Sequence, residues 1–249
     1  MTTAKPCLLL AALLAGACHA APITYDGGTP DLKQGHFSDW NHPSGQAPEV
    51  ADLFTAQGTV LAVKPTTLRW WGGYTFGDGQ PDGADLFSVR LFLGSFAAPV
   101  GDAIYAASFD AAGAVTRNAI GSHLTMADGS MGPAVFEYSV TLDPTWTLAA
   151  GSSYWLAIQN DLEGVDDDTW FWATSNFAQG TAVSRVDYGP NWSTLQGAMA
   201  FQLTFEGFDA EPPPVTPVPE PAGWALVGAG LVALRATRRG GVQRRAHPA

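Results

Sequence analysis

Large apolar side chains recur at every second position in separate runs between residues 52 and 208. Phe136, Tyr138, Val140 and Leu142 alternate with Glu137, Ser139 and Thr141, and Phe87, Val89, Leu91 and Leu93 alternate around Ser88 and Arg90. Tyr154, Leu156 and Ile158 form a third run, and Phe201, Leu203 and Phe205 a fourth. A period of two gathers the apolar residues of a run on one face of an extended strand, which a helix of period 3.6 cannot do. No stretch of this region keeps helical spacing, and clusters of Gly, Pro, Asp and Ser at 77–85, 110–113, 127–133 and 150–152 separate the runs as turns do. A strand apolar on one face has to bury that face against a second layer. The expectation is an all-β body of roughly ten strands, an antiparallel two-sheet sandwich of jelly-roll type with polar outer positions.

The body is expected over residues 51–210, with the polar stretch 22–50 as an irregular lead-in or an added edge strand. A chain of 249 residues accommodates this as a single domain. Between the two ends, six Lys and Arg face twenty-two Asp and Glu, a net charge of −16. Such a surface repels nucleic acid and anionic lipid, so nucleic-acid binding is excluded as a function class.

The ends have compositions of their own. Residues 1–21 read as an export signal: Lys5 gives the positive start, residues 8–17 a short run of Leu and Ala, and Cys18, Ala20 and Ala21 the small residues of a cleavage site. Both cysteines, Cys7 and Cys18, fall in this segment, so a mature chain starting near Pro22 has no disulfide and relies on its core. An acylated Cys18 would need the Leu-small-small pattern, and Ala15 stands where Leu is usual. At the other end, residues 211–221 form a proline-dense linker, expected to be extended. Residues 222–234 follow without a charge, then come Arg235, Arg238 and Arg239, with Arg244 and Arg245 further on. An apolar helix over 222–237 and a basic end over 238–249 match a membrane segment whose terminus stays cytoplasmic.

In detail, Val218, Pro219, Glu220 and Pro221, the short apolar stretch and the stop formed by Arg235, Arg238 and Arg239 closely resemble the PEP-CTERM sorting tail of Gram-negative bacteria. The resemblance covers about a tenth of the chain, and three features in fixed order make it specific. It implies an exosortase as processing partner and a setting of exopolysaccharide and biofilm matrix; the two ends themselves give the expectation of an N-terminal signal helix and a C-terminal transmembrane helix. Residues 241–249 extend beyond the usual arginines. The body segments 51–55, 68–74, 148–158 and 169–175 are similar to sandwich domains found upstream of such tails, which implies fold and no chemistry.

Three kinds of residue are candidates for the body's own chemistry. Trp70, Trp71, Tyr74, Trp155, Trp170, Trp172 and Trp192 are either core or, where exposed, a platform on which sugar rings stack. Neighbouring residues of a strand point to opposite faces, so Trp71 and Trp155 are expected to be the outward, glycan-binding members. Acidic turns hold Asp78, Asp82 and Asp85, and Asp161, Asp166, Asp167 and Asp168; they are either solvated loops or oxygen donors for Ca2+. For catalysis the body offers His36, His42 and His123, without a zinc-protease or nucleophile-elbow motif. Flat threonine arrays suited to ice are absent as well. The expectation is a non-enzymatic, exported envelope or matrix protein, adhesive or structural, with a carbohydrate-binding module as the alternative. Glycan cleavage and ice binding stand behind both.

Overall fold

The computed structural model describes residues 21–40, 42, 44–75, 85–94, 96–111, 113–160, 169–177 and 180–208. The signal segment, the acidic turns 76–84 and 161–168 and the whole tail lie outside the described residues. Among the described residues every regular element is a strand, and no helix is long and apolar enough to cross a membrane.

Fourteen strands are described: β1 (Ile23–Asp26), β2 (Pro30–Phe37), β3 (Pro48–Thr55), β4 (Ala62–Tyr74), β5 (Phe87–Gly94), β6 (Pro99–Phe109) and β7 (Thr116–Thr125) come first. β8 (Met131–Thr141), β9 (Leu148–Ala149), β10 (Ser153–Asn160), β11 (Trp170–Ser175), β12 (Ala182–Val186), β13 (Ser193–Thr194) and β14 (Phe201–Phe208) complete the set. They form two sheets with antiparallel pairing. The eight-stranded sheet is organised on β4: β14 and then β11 run along one of its edges, β9 and then β8 along the other. β1 continues this sheet beyond β14, β2 beyond β11, and β7 beyond β8. The six-stranded sheet has the order β13-β12-β3-β10-β5-β6.

One core lies between the sheets, and the period-two residues build it. Leu68, Trp70, Tyr138, Val140, Phe201, Leu203 and Phe205 of the larger sheet meet Val50, Phe54, Phe87, Val89, Leu91, Leu156 and Ile158 of the smaller. Phe87 sits in an aromatic cage, with the rings of Trp70, Tyr138 and Trp170 at 5.1–5.2 Å, each meeting it edge to face or nearly so. Burying these rings removes the most apolar area per residue, so the alternation is what drives the two layers together.

Of the two readings of residues 22–50, the structure matches the added edge strand: β1 and β2 form the two ends of the principal strand path of the larger sheet, and β3 starts at Pro48 in the middle of the smaller one. The polar look of residues 22–50 comes from strands at sheet margins, where half the residues face water. Leu93 also leaves the core pattern and is exposed, where the β5–β6 register shifts between Leu91 and Leu93, while Phe92 keeps the outer-face position that alternation gives it, beside Trp155.

The outer faces are not simply polar. On the larger sheet Trp71, Leu124, Val135, Phe171, Ala173 and Ala200 form a second apolar cluster, with Leu32 of β2 packed on it. On the smaller sheet Ala51, Phe92, Trp155, Ala157 and Val183 form a third, flanked by Leu53, Ala103 and Trp192.

Candidate functional site

These outer clusters decide the fate of the tryptophans. Trp71 does face away from the inter-sheet core, yet it is only 5% exposed, and Trp155 is 0% exposed. Neither offers a ring face to a ligand, which corrects the expectation of a glycan platform at these two positions. Alternation put them on the right face, but strand-level periodicity does not report what covers that face. Gly94 packs so closely on Trp155 that a Cβ there would stand 2.7 Å from the indole Nε1. Trp70, Trp170 and Trp172 are core, and Trp172 Nε1 donates to the Ala200 carbonyl at 2.9 Å.

Beside the Trp155 cluster, the same outer face gathers charge. Glu49 on β3 and Arg185 on β12 are register partners, and Arg185 Nε donates to Glu49 Oε2 at 2.6 Å. From β5, Arg90 places its Nε 3.1 Å from Glu49 Oε1 and donates through Nη2 to Gln159 Oε1 at 2.7 Å. Gln159 is fixed from its other end, where Nε2 donates to the Pro48 carbonyl at 2.9 Å. The Glu49 side chain is fully buried, and those of Arg90 and Arg185 are 15% and 10% exposed. One carboxylate therefore serves two guanidinium groups with little water present, a setting in which removing the carboxylate leaves two costly unpaired charges.

Aromatic rings frame this triad. Tyr188 lies under the Arg90 guanidinium at 4.5 Å and donates its hydroxyl to Gln159 Oε1 at 2.9 Å. Arg185 sits over Trp192 at 4.5 Å and near Phe92 at 5.3 Å. Trp40 stacks on Tyr188 with ring centroids 4.9 Å apart. Trp40 and Tyr188 are 41% and 40% exposed, so this pair presents aromatic surface to solvent. The turn that carries Tyr188 is strained: Asp187 and Tyr188 have φ of 52° and 53°, and Gly189 N–H closes the turn on the Val186 carbonyl. Left-handed backbone at a tyrosine costs about 1–2 kcal/mol. It is held by Asp187, which accepts from Ala47 N–H at 2.8 Å and donates its own N–H to the Ala47 carbonyl at 3.1 Å. Between this turn and residues 101–103 of β6 lies a cleft of about 220 Å³ lined by Arg90, Phe92, Asp102, Arg185 and Tyr188.

A larger cleft, about 540 Å³, is lined by Tyr25, Asp52, Phe54, Phe96, Phe177 and Thr181, among others. Its buried acid, Asp52, points inward from β3 and accepts from Met199 N–H at 2.6 Å and Leu53 N–H at 2.7 Å. Burial pushes its carboxyl up to about 7 against the opposing pull of those two donors. Glycoside hydrolysis by acid–base chemistry takes two carboxyl groups across the scissile bond, and Asp52 is the single carboxylate among the described residues lining this cleft.

A third cluster joins Tyr74, Asp85, Arg117 and Asn160. Tyr74 donates its hydroxyl to Asp85 Oδ1 at 2.6 Å, Asn160 Nδ2 donates to the Tyr74 oxygen at 3.2 Å, and Arg117 Nη1 stands 3.3 Å from Asp85 Oδ2. Burial raises the Asp85 carboxyl above its ordinary value, opposed by the Tyr74 hydrogen bond and the Arg117 charge. Asp161, Asp166, Asp167 and Asp168, named above for Ca2+, lie outside the described residues, as do Val218, Pro219, Glu220, Pro221, Arg235, Arg238 and Arg239. Among the described residues no three His, Cys, Asp or Glu side chains come together as a metal site.

Sequence reasoning passed over Glu49, Arg90, Arg185, Tyr188 and Trp40. The one available signal was scarcity: with only six basic residues in the body, two at strand positions among apolar neighbours call for a buried partner. No protein-family model matches the chain, and no curated protein matches it significantly in sequence.

Proposed function

We propose that this chain is an exported, non-enzymatic envelope or matrix protein, sorted by its tail, whose sandwich makes contact with polysaccharide. The signal segment directs export, the terminal helix holds the chain in the inner membrane with a cytoplasmic C-terminus, and an exosortase acts near Glu220. The final location is the cell surface or the extracellular matrix. Jelly-roll topology for the body, and Ca2+ at the acidic turns, belong to the same reading.

The observation that carries the binding part is the arginine–aromatic cleft of the smaller sheet, next to the exposed Trp40–Tyr188 stack. Sugar rings stack on aromatic faces, while guanidinium groups bond their oxygen substituents. This moves the platform from Trp71 and Trp155 to Trp40 and Tyr188. The sorting part is tested by fractionating cells that express the full chain or a chain ending at residue 210: the truncated form is expected to leave the membrane and surface fractions. Identical fractionation of the two forms refutes it. The binding part is tested by polysaccharide retention of the full chain and of Trp40→Ala, which is expected to bind more weakly with an unchanged melting temperature.

A further inference from the structure

The geometry points to a more specific ligand: the cleft between Tyr188 and β6 takes the carboxylate of an acidic polysaccharide, a uronate unit. The inference rests on the polysaccharide-contact reading above and specifies its chemistry.

Residues 22–217 carry −16, yet two of their six cations converge on one buried carboxylate. Glu49 neutralises one of them, which leaves one positive charge at a place that is about nine-tenths withdrawn from water. A buried charge without a counter-charge is costly, so this arrangement favours a second anion. Among the described residues that line the cleft the one acid, Asp102, is exposed on β6, where water screens it.

The donors agree with the charge. Arg185 uses Nε on Glu49, and among the described residues no acceptor meets its Nη groups. Arg90 engages Nε and Nη2, and no described acceptor meets its Nη1. Both side chains line the cleft. A planar guanidinium edge with two N–H groups matches the two oxygens of a carboxylate. The rings of Trp192 and Phe92 beside Arg185, and of Tyr188 beside Arg90, hold the two forks in place before any ligand arrives. The strained turn that places Tyr188 has its own rationale here: backbone strain persists where surrounding contacts fix a side chain in one position.

The test uses the full-length protein and three immobilised probes: polygalacturonate, its methyl ester, and polyglutamate. Polygalacturonate is expected to be retained at least tenfold more strongly than its ester at one fixed, moderate salt concentration, where the long-range repulsion from the acidic body is screened. Asp102→Asn lies at the exposed rim and leaves the triad intact; by removing a repelling charge it is expected to strengthen binding roughly two- to fivefold. Arg185→Gln is expected to weaken it more than tenfold. Should Arg185→Gln fail to fold, Asp102→Asn still decides. Equal retention of the ester, or weaker binding by Asp102→Asn, overturns the inference and leaves a cleft that reads neutral hydroxyls, with the polysaccharide reading intact. Equal retention of polyglutamate overturns it in favour of a protein carboxylate. Retention of no polysaccharide at all removes the broader reading along with it.

Discussion

The substitution Asp52→Asn exposes how burial and hydrogen bonding compete inside this sandwich. Asp52 is 2% exposed, on the inner face of β3 with Val50 and Phe54 as its same-face neighbours. In the folded protein its carboxyl titrates at about 7, raised by burial and partly restored by the Met199 and Leu53 N–H groups. In the unfolded chain an aspartate titrates at roughly 3.9. The folded value is the higher one, so the native state holds the proton more tightly. The contribution to stability is fully present below about pH 4 and is lost as pH rises through about 7. A shift of about three pH units corresponds to about 4 kcal/mol in total, at about 1.36 kcal/mol per unit, of which about 2–3 kcal/mol falls between roughly pH 5 and pH 8. The amide of the Asp52→Asn variant does not titrate. It keeps one acceptor and turns its NH2 group toward one of the two backbone N–H groups, a mismatch of about 1–3 kcal/mol. The native protein should therefore be the more stable of the two at about pH 5, with the gap closing or inverting by about pH 8. Urea titrations across that range measure it, read as a change in midpoint at constant slope. Asp85 also has a raised carboxyl and drives the same trend in both proteins, so the difference between them isolates Asp52. A gap that stays constant to within about 0.5 kcal/mol over the whole range would falsify the argument, because the two N–H donors would then have kept the carboxylate ionised throughout.

Three further substitutions test other parts of the structure. Glu49→Gln strands two buried arginine charges and is expected to cost about 3–5 kcal/mol, measured by urea unfolding; a cost below about 1 kcal/mol would mean the arginines escape to water. Trp155→Ala empties the third apolar cluster and should cost about 3–5 kcal/mol in the same assay, whereas a tryptophan serving as an exposed platform would cost almost nothing. Gly73→Ala drives a methyl group against the Ala134 carbonyl and the Phe171 ring on the central strand β4; it should lower the stability by at least about 1–3 kcal/mol, and an unchanged midpoint would refute the close approach.

Much of the fold was legible because its instructions are local. A residue's face on a strand follows from counting by two, and Phe136, Tyr138, Val140 and Leu142 all lie where counting places them. Turn positions were legible for the same reason: glycine at φ of 81° in the turn at Gly129, or 77° at Gly151, meets a backbone demand that is visible in the residue itself. The exposure of Leu93 was not, since it goes with a register shift against β6 that no single strand specifies.

Period and turn chemistry, both properties of short windows, were enough to determine an all-β body with a core made of the alternating residues. The order of proline motif, apolar stretch and arginines at the tail is likewise a property of the sequence alone. The tertiary structure decided what covers each outer face, and it buried Trp71 and Trp155 while leaving Trp40 and Tyr188 in view. It also assembled the triad: Glu49, Arg90 and Arg185 are scattered along the chain and meet only because β12, β3, β10 and β5 lie in that order in one sheet. The physical reason is that alternation is set by backbone geometry within a strand, whereas strand order and cover are set by the packing of the whole chain, where each contact depends on residues far away in sequence.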